Sequence, residues 1–195
     1  MNYIELVAVV FGILSVWYAR KENILVFPFG IISVGIFVFI FFTNRLYANA
    51  GINIVYLLTN VYGWYNWSRP QKEDEKLQIT KNSAKQNIMI SLFAVIIYVA
   101  VILLLRWYNR NDATYLHAIA PWIDTLNTSF FLCATILMTV KKLENWIFWI
   151  LGNVISIPFF LSQGLYFTSF QYAVFFVLAV MGYVEWKKKI HVNGK

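Results

Sequence analysis

The sequence predicts an all-α membrane protein of seven transmembrane helices, ordered three, one and three. Three observations predict it. Apolar stretches of about 20 residues, the length a bilayer crossing needs, recur seven times in 195 residues, and the chain is 60% hydrophobic with a mean hydropathy of +0.62. With seven crossings, thirteen of the 16 lysines and arginines fall on one side and only Arg45, Arg106 and Arg110 on the other. That asymmetry marks the basic side as cytoplasmic, which puts the N-terminus outside and the C-terminus in the cytoplasm. Finally, the two halves share markers in the same order. The topology accounts for the +7 net charge, so the charge does not call for a nucleic-acid partner; the partner it implies is the lipid bilayer.

Taken in order, residues 1–67 form the first three-helix repeat, with spans at about 4–18, 24–42 and 46–67. Arg20-Lys21-Glu22-Asn23 ends the first span, and Asn44-Arg45 turns the chain between the second and third. Residues 68–87 are polar and of mixed charge, with Pro70 stopping the preceding helix, and read as a cytoplasmic loop. A uniformly aliphatic linker helix covers 88–105. The outer loop at 106–121 holds Trp107, Tyr108 and Tyr115, which suit a membrane–water boundary. The second repeat fills 122–186, with spans at about 122–140, 144–163 and 166–186, and Lys187-Lys188-Lys189 opens the cytoplasmic tail 187–195. The first span shows no cleavage-site pattern, so no removable signal peptide is expected. A single cysteine, Cys133, excludes an internal disulfide and a cysteine-based metal site.

The internal correspondence has two parts. Glu22-Asn23 precedes the second span as Glu144-Asn145 precedes the sixth, an offset of 122; Leu46-Tyr47, Gly63 and Trp67 recur as Leu165-Tyr166, Gly182 and Trp186, an offset of 119. A three-residue deletion reconciles the two. Three helices are an odd number, so the linker span restores direction and makes the repeats parallel about an axis along the membrane normal. A substrate site is then expected between the repeats near the midplane.

Two stripes carry the candidate site. Trp146, Trp149, Asn153 and Ser156 share one helical face of the sixth span, and Asn53, Tyr56, Asn60, Trp64 and Trp67 share one face of the third. An amide is costly in lipid and is expected to face the interior or a cavity. Aromatic plates beside a few hydrogen-bonding groups suit a flat, polar, cationic small molecule. Each residue also has a plain alternative. Trp146 reads equally as an interfacial anchor, Asn153 as interhelical glue, and Tyr56 and Tyr172 as packed side chains. Asp124 reads either as an attractor of cations near the outer end or as a carboxylate stabilised by the start of its helix.

The segments Leu46-Tyr47-Ala48, Asn60 through Arg69, Pro121-Trp122-Ile123-Asp124 and Glu144 through Ser156 resemble the PnuC family of bacterial vitamin-precursor transporters. The resemblance covers nearly the whole chain outside the 68–87 loop and the tail. It implies an architecture similar to the SWEET sugar carriers, residence in the bacterial cytoplasmic (inner) membrane, inward movement of nicotinamide riboside, and a homotrimer. It maps the family's tryptophan pair and asparagine onto Trp146, Trp149 and Asn153, and its third-span amides onto Asn53 and Asn60. The related PnuT carriers, similar in build, imply thiamine as the alternative ligand.

The pyridinium of nicotinamide riboside suits the indole faces, and its carboxamide and hydroxyls need the donors and acceptors of the three asparagines. No Asp, Glu, Lys, Arg or His sits in the middle of any span, whereas coupled carriers need such groups at depth. Facilitated diffusion is therefore expected, and phosphorylated nucleotides are expected to be refused; the resemblance implies phosphorylation inside the cell as the trap. No cofactor is implied. An enzyme is not expected, because no nucleophile–base pair, histidine cluster or Ser–Lys dyad lies at depth. A non-transporting assembly subunit would require a dry interior.

Overall fold

In the computed structural model, which describes residues 3–69, 77–110, 112 and 118–193, the described chain is helical apart from its turns and one isolated bridge. Residues 1–2, 70–76, 111, 113–117 and 194–195 lie outside that description, and with them Pro70 of the cytoplasmic loop, Tyr115 of the outer loop and the end of the tail. Among the described residues seven helices follow one another: α1 Tyr3–Arg20, α2 Val26–Thr43, α3 Tyr47–Ser68, α4 Ala84–Tyr108, α5 Ala120–Thr139, α6 Asn145–Ser162 and α7 Tyr166–Asn193.

Two helices outrun their apolar cores. Helix α4 starts before residue 88 because Ser83 caps it: the Ser83 hydroxyl accepts from the Gln86 N–H while the Gln86 side chain accepts from the Ser83 N–H. Helix α7 runs past Trp186 through its lysines, since nothing there breaks a helix. By length and hydropathy α1, α2, α4, α6 and α7 qualify as membrane spans. Helices α3 and α5 are 22 and 20 residues long but diluted by polar residues. On α5 the hydroxyls of Thr125, Ser129, Thr135 and Thr139 are buried and quenched on the helix itself: that of Thr125 donates to the Pro121 carbonyl at 2.7 Å and that of Thr135 to the Phe131 carbonyl at 2.7 Å.

Helices α1–α3 pack as one group and α5–α7 as another; α3 meets α5, α7 meets α1, and α4 lies against α5. The groups close their turns with the same hydrogen bonds, 119 residues apart. Asn23 N–H donates to the Tyr18 carbonyl and Lys142 N–H to that of Leu137; Leu46 N–H donates to Phe41 and Leu165 N–H to Phe160. The left-handed residues match as well, Glu22 (φ 58°) with Lys141 (φ 51°) and Arg45 (φ 60°) with Gly164 (φ 73°). The structural register is therefore 119 throughout, without a deletion. The likeness of Glu22-Asn23 to Glu144-Asn145 is coincidental, because the position answering to Glu22 holds Lys141.

Contacts between the groups are reciprocal. The Trp67 Nε1–H donates to the Met138 carbonyl at 3.1 Å, and the Trp186 Nε1–H donates to the Ala19 carbonyl at 3.1 Å. One step further on, the Asn66 amide donates to the Thr139 carbonyl at 2.8 Å, and Arg20 pairs with Glu185 at 3.4 Å. Helices α1, α3 and α5 thus finish at one end, beside the last third of α7. Around these bonds lies a buried cluster including Phe27, Trp67, Met138, Trp146 and Trp186. Phe27 stands edge-on to Trp67 (5.0 Å, 89°), and Trp146 stands edge-on to Trp186 (5.5 Å, 90°). Each ring lies over a glycine, Gly63 and Gly182 respectively, where a Cβ would overlap it.

Candidate functional site

A cavity of about 240 Å³ lies between the two groups. Its wall on α1 runs from Val9 to Ala19, about 15 Å at helical rise. It ends at Ala19, Val26, Met138 and Ala179, where the buried cluster becomes its floor. Sites for drug-sized ligands occupy roughly 300–1,000 Å³, so this one suits a single small molecule.

Much of the wall comes in equivalent pairs at the 119 spacing: Gly12 with Phe131, Gly30 with Trp149, Val34 with Asn153, Tyr56 with Phe175, and Asn60 with Ala179. The backbone is shared, but the chemistry is not. Gly12, Gly30 and Val34 answer to Phe131, Trp149 and Asn153, and Ala179 answers to Asn60, so at these levels one group supplies a small or aliphatic side chain and the other an aromatic ring or an amide, whereas Tyr56 and Phe175 are aromatic in both. Gly30 matters by what it lacks, since a Cβ there would lie 2.5 Å from Asn60 Oδ1.

Five of the eight residues singled out from the sequence meet in this wall: Tyr56, Asn60, Trp149, Asn153 and Tyr172. Asn153 is 1% exposed, and its Nδ2, like Trp149 Nε1, is buried with no acceptor among the described residues. Such an orphaned donor costs about 1–3 kcal/mol unless something satisfies it. The Trp146 Nε1 is also orphaned, so orphaning alone does not define a site; what distinguishes the other two is that they border the cavity. Asn60 donates one amide hydrogen to the Tyr56 carbonyl at 2.8 Å, and its Oδ1 lies toward Gly30.

The remaining three stand elsewhere. Trp146 is fully buried in the floor, its ring on Gly182 and against Trp186, and does not line the cavity. It lies one turn closer to the basic end than Trp149, and the missing side chain at Gly182 draws the indole into the packing instead. Asn53 donates to the Asn49 carbonyl of its own helix at 2.9 Å and is also absent from the wall. Asp124 is exposed near the start of α5 and does not border the cavity. Ser156, on the Asn153 face, bridges helices: it accepts from the Asn127 amide at 3.0 Å and donates to the Gly152 carbonyl at 2.9 Å.

Sequence reasoning missed Phe131 and Gln171. Phe131 stacks on Trp149 (5.1 Å, 27°) and faces Tyr172 (6.3 Å, 8°), which in turn stacks on Phe160 (5.1 Å, 7°). One face of Trp149 is therefore covered by protein. A phenylalanine in an apolar span gives no signal of its own; its equivalence to Gly12 is what marks it. Gln171 brings an amide to the wall from α7. No Asp, Glu, Lys, Arg or His lines the cavity among the described residues. Aromatic faces and neutral amides are what it offers.

The profile of the nicotinamide mononucleotide transporter family matches residues 2–188. The chain is 31% identical over 212 residues to the nicotinamide riboside transporter PnuC of Escherichia coli (strain K12), covering 100% of this chain and 89% of that one. It is 25% identical over 185 residues to the riboflavin/roseoflavin transporter RibM of Streptomyces davaonensis, covering 93% and 83%. In fold it is similar to a crystal structure of the vitamin B3 transporter PnuC, with a TM-score of 0.73 at 23% identity over 97% of this chain and 82% of that one. The chain therefore belongs to the nicotinamide mononucleotide transporter family, as a helical, multi-pass membrane transporter.

Proposed function

We propose that the chain carries nicotinamide riboside across the bacterial cytoplasmic membrane, bound in the cavity between the two three-helix groups. The observation that bears most weight is the pairing of Trp149 and Asn153 on one wall, each with a buried donor lacking an acceptor among the described residues. The ligand's carboxamide oxygen and ribose hydroxyls supply acceptors, and Asn60 Oδ1 and the Gln171 amide take its donors. With no carboxylate in the wall, the pyridinium charge is held by aromatic faces, an attraction reaching about 2 kcal/mol when desolvated.

The family's profile is named for the mononucleotide, and the wall argues for the riboside. A phosphate at depth demands a cationic partner, and no Arg, Lys or His borders the cavity among the described residues. The same absence supports facilitated diffusion; trapping by phosphorylation inside the cell is carried over from the family resemblance. The matched turns and reciprocal bonds support reading the two groups as parallel repeats joined by α4. The basic-residue asymmetry supports an N-terminus outside and a C-terminus in the cytoplasm. A homotrimer is carried over from the family resemblance.

Thiamine, also flat and cationic, fits the same aromatic wall and is the second reading. The test is uptake of labelled nicotinamide riboside into liposomes holding the purified protein, with thiamine, riboflavin and nicotinamide mononucleotide as competitors. Competition by unlabelled riboside alone supports the proposal. Stronger competition by thiamine or by the mononucleotide overturns the ligand assignment.

A further inference from the structure

Below the floor of the cavity, the end of the bundle where α1, α3 and α5 finish is tied shut by charges that the binding site does not use. Lys141, whose side chain is 6% exposed, donates to Glu22 Oε1 at 2.6 Å and to the Leu77 carbonyl at 2.8 Å. Its ammonium lies 4.5 Å from the centre of the Trp67 ring. Lys189, on α7, reaches the other oxygen of Glu22 at 2.9 Å. Residues 77–82 form a strap along the α5–α6 turn: Thr80 N–H donates to the Lys141 carbonyl, Leu143 N–H donates to that of Thr80, and Asn82 N–H donates to Glu144 Oε2. Ile79 of the strap is buried in the same cluster that floors the cavity.

Three bodies therefore converge on one ammonium: the first helix group through Glu22, the second through the Lys141 backbone, and the strap through Leu77. Contacts within each group, such as Phe27 on Trp67 or Trp146 on Trp186, survive a rocking of one group against the other, whereas the Lys141–Glu22 pair, like the Trp67–Met138 and Trp186–Ala19 bonds, does not. A buried ion pair contributes little net stability compared with apolar packing, because its desolvation cost offsets its attraction. For the same reason it opens at low cost: water that enters rehydrates both charges, while a purely apolar seal would gain nothing on exposure.

We propose that Lys141, Glu22 and the 77–82 strap form the gate on the basic side of the cavity, with Lys141 as its latch. Ligand leaves toward that side when the strap lifts and the Lys141–Glu22 pair parts. The gate rests on the carrier reading above, but one of its tests needs no ligand.

Glu22→Gln and Lys141→Gln, singly and together, are compared with wild type by hydrogen exchange of the Thr80, Asn82 and Leu143 amides, by nicotinamide riboside titration and by uptake into liposomes. Expected are strap exchange at least tenfold faster, affinity within about threefold of wild type, uptake altered at least fivefold, and a double variant no further changed than either single one. Lys141→Arg, which keeps the charge, is expected to restore slow exchange and guards against a variant that merely misfolds. Strap exchange unchanged in both single variants overturns the gate, as does equal acceleration throughout the protein that Lys141→Arg fails to reverse. A wild type that binds no riboside overturns the ligand assignment instead, and the gate is then judged on exchange alone.

Discussion

Glu22 and Lys141 occupy the same place in two equivalent turns, 119 residues apart, and bind each other at 2.6 Å. Both are left-handed, at φ 58° and 51°. Two identical copies of the unit would have brought like charges together here. The opposite signs make the two turns attract where they meet, and the cavity wall shows the same asymmetry in Gly30 against Trp149 and Val34 against Asn153.

That pairing has a pH dependence whose sign follows from Glu22. Burial opposes its ionisation, but hydrogen bonds from Lys141 and Lys189, with the attraction of both charges, outweigh burial and hold the carboxyl below its ordinary value of 4.5. A depressed carboxylate stabilises the folded state fully above its unfolded value and loses that contribution as pH falls through the folded one. The thermal midpoint of wild type should therefore drop more steeply below pH 4.5 than that of Glu22→Gln, as followed by tryptophan fluorescence. Parallel curves would mean the pair contributes nothing.

Gly30 and Gly35 lie on the same helix in different surroundings. A methyl at Gly30 meets Asn60 Oδ1 at 2.5 Å and Ser15 Oγ at 3.1 Å, whereas one at Gly35 meets nothing within 4 Å. Overpacking of this kind costs about 1–3 kcal/mol. Gly30→Ala should weaken riboside binding about tenfold, and Gly35→Ala should leave it unchanged. Equal affinities in a titration of the two variants would place the ligand away from Asn60.

Trp146→Ala empties part of the floor rather than the wall. Removing a buried aromatic side chain costs about 3–5 kcal/mol, so this variant should lose thermal stability while its residual folded fraction still binds ligand. Undiminished stability with abolished binding would return Trp146 to the site.

Uptake should be indifferent to ionophores that collapse proton or sodium gradients, because no Asp, Glu, Lys, Arg or His lines the cavity among the described residues. Uptake in liposomes that required either gradient would contradict facilitated diffusion.

Hydropathy and the lysine–arginine asymmetry make the helices legible in the sequence, and helical spacing puts Tyr56 and Asn60 on one stripe and Trp149 and Asn153 on another. What spacing cannot convey is which end of a stripe meets a void. Trp146 and Trp149 share a face, but Gly182 lies opposite one and the cavity lies beside the other. Phe131 was unreadable because an apolar ring in an apolar span carries no contrast. The offset of 122 rests on a shared dipeptide, whereas the turn hydrogen bonds and left-handed residues follow 119, and neither is visible in the sequence.

The most direct test is a calorimetric titration of the purified protein with nicotinamide riboside, in wild type, Trp149→Ala, Asn153→Leu and Trp107→Ala. A site on the Trp149–Asn153 wall predicts that binding is lost in the first two variants, both remaining folded, and kept in the third, whose indole is 64% exposed. Wild-type affinity in Trp149→Ala and Asn153→Leu would contradict it.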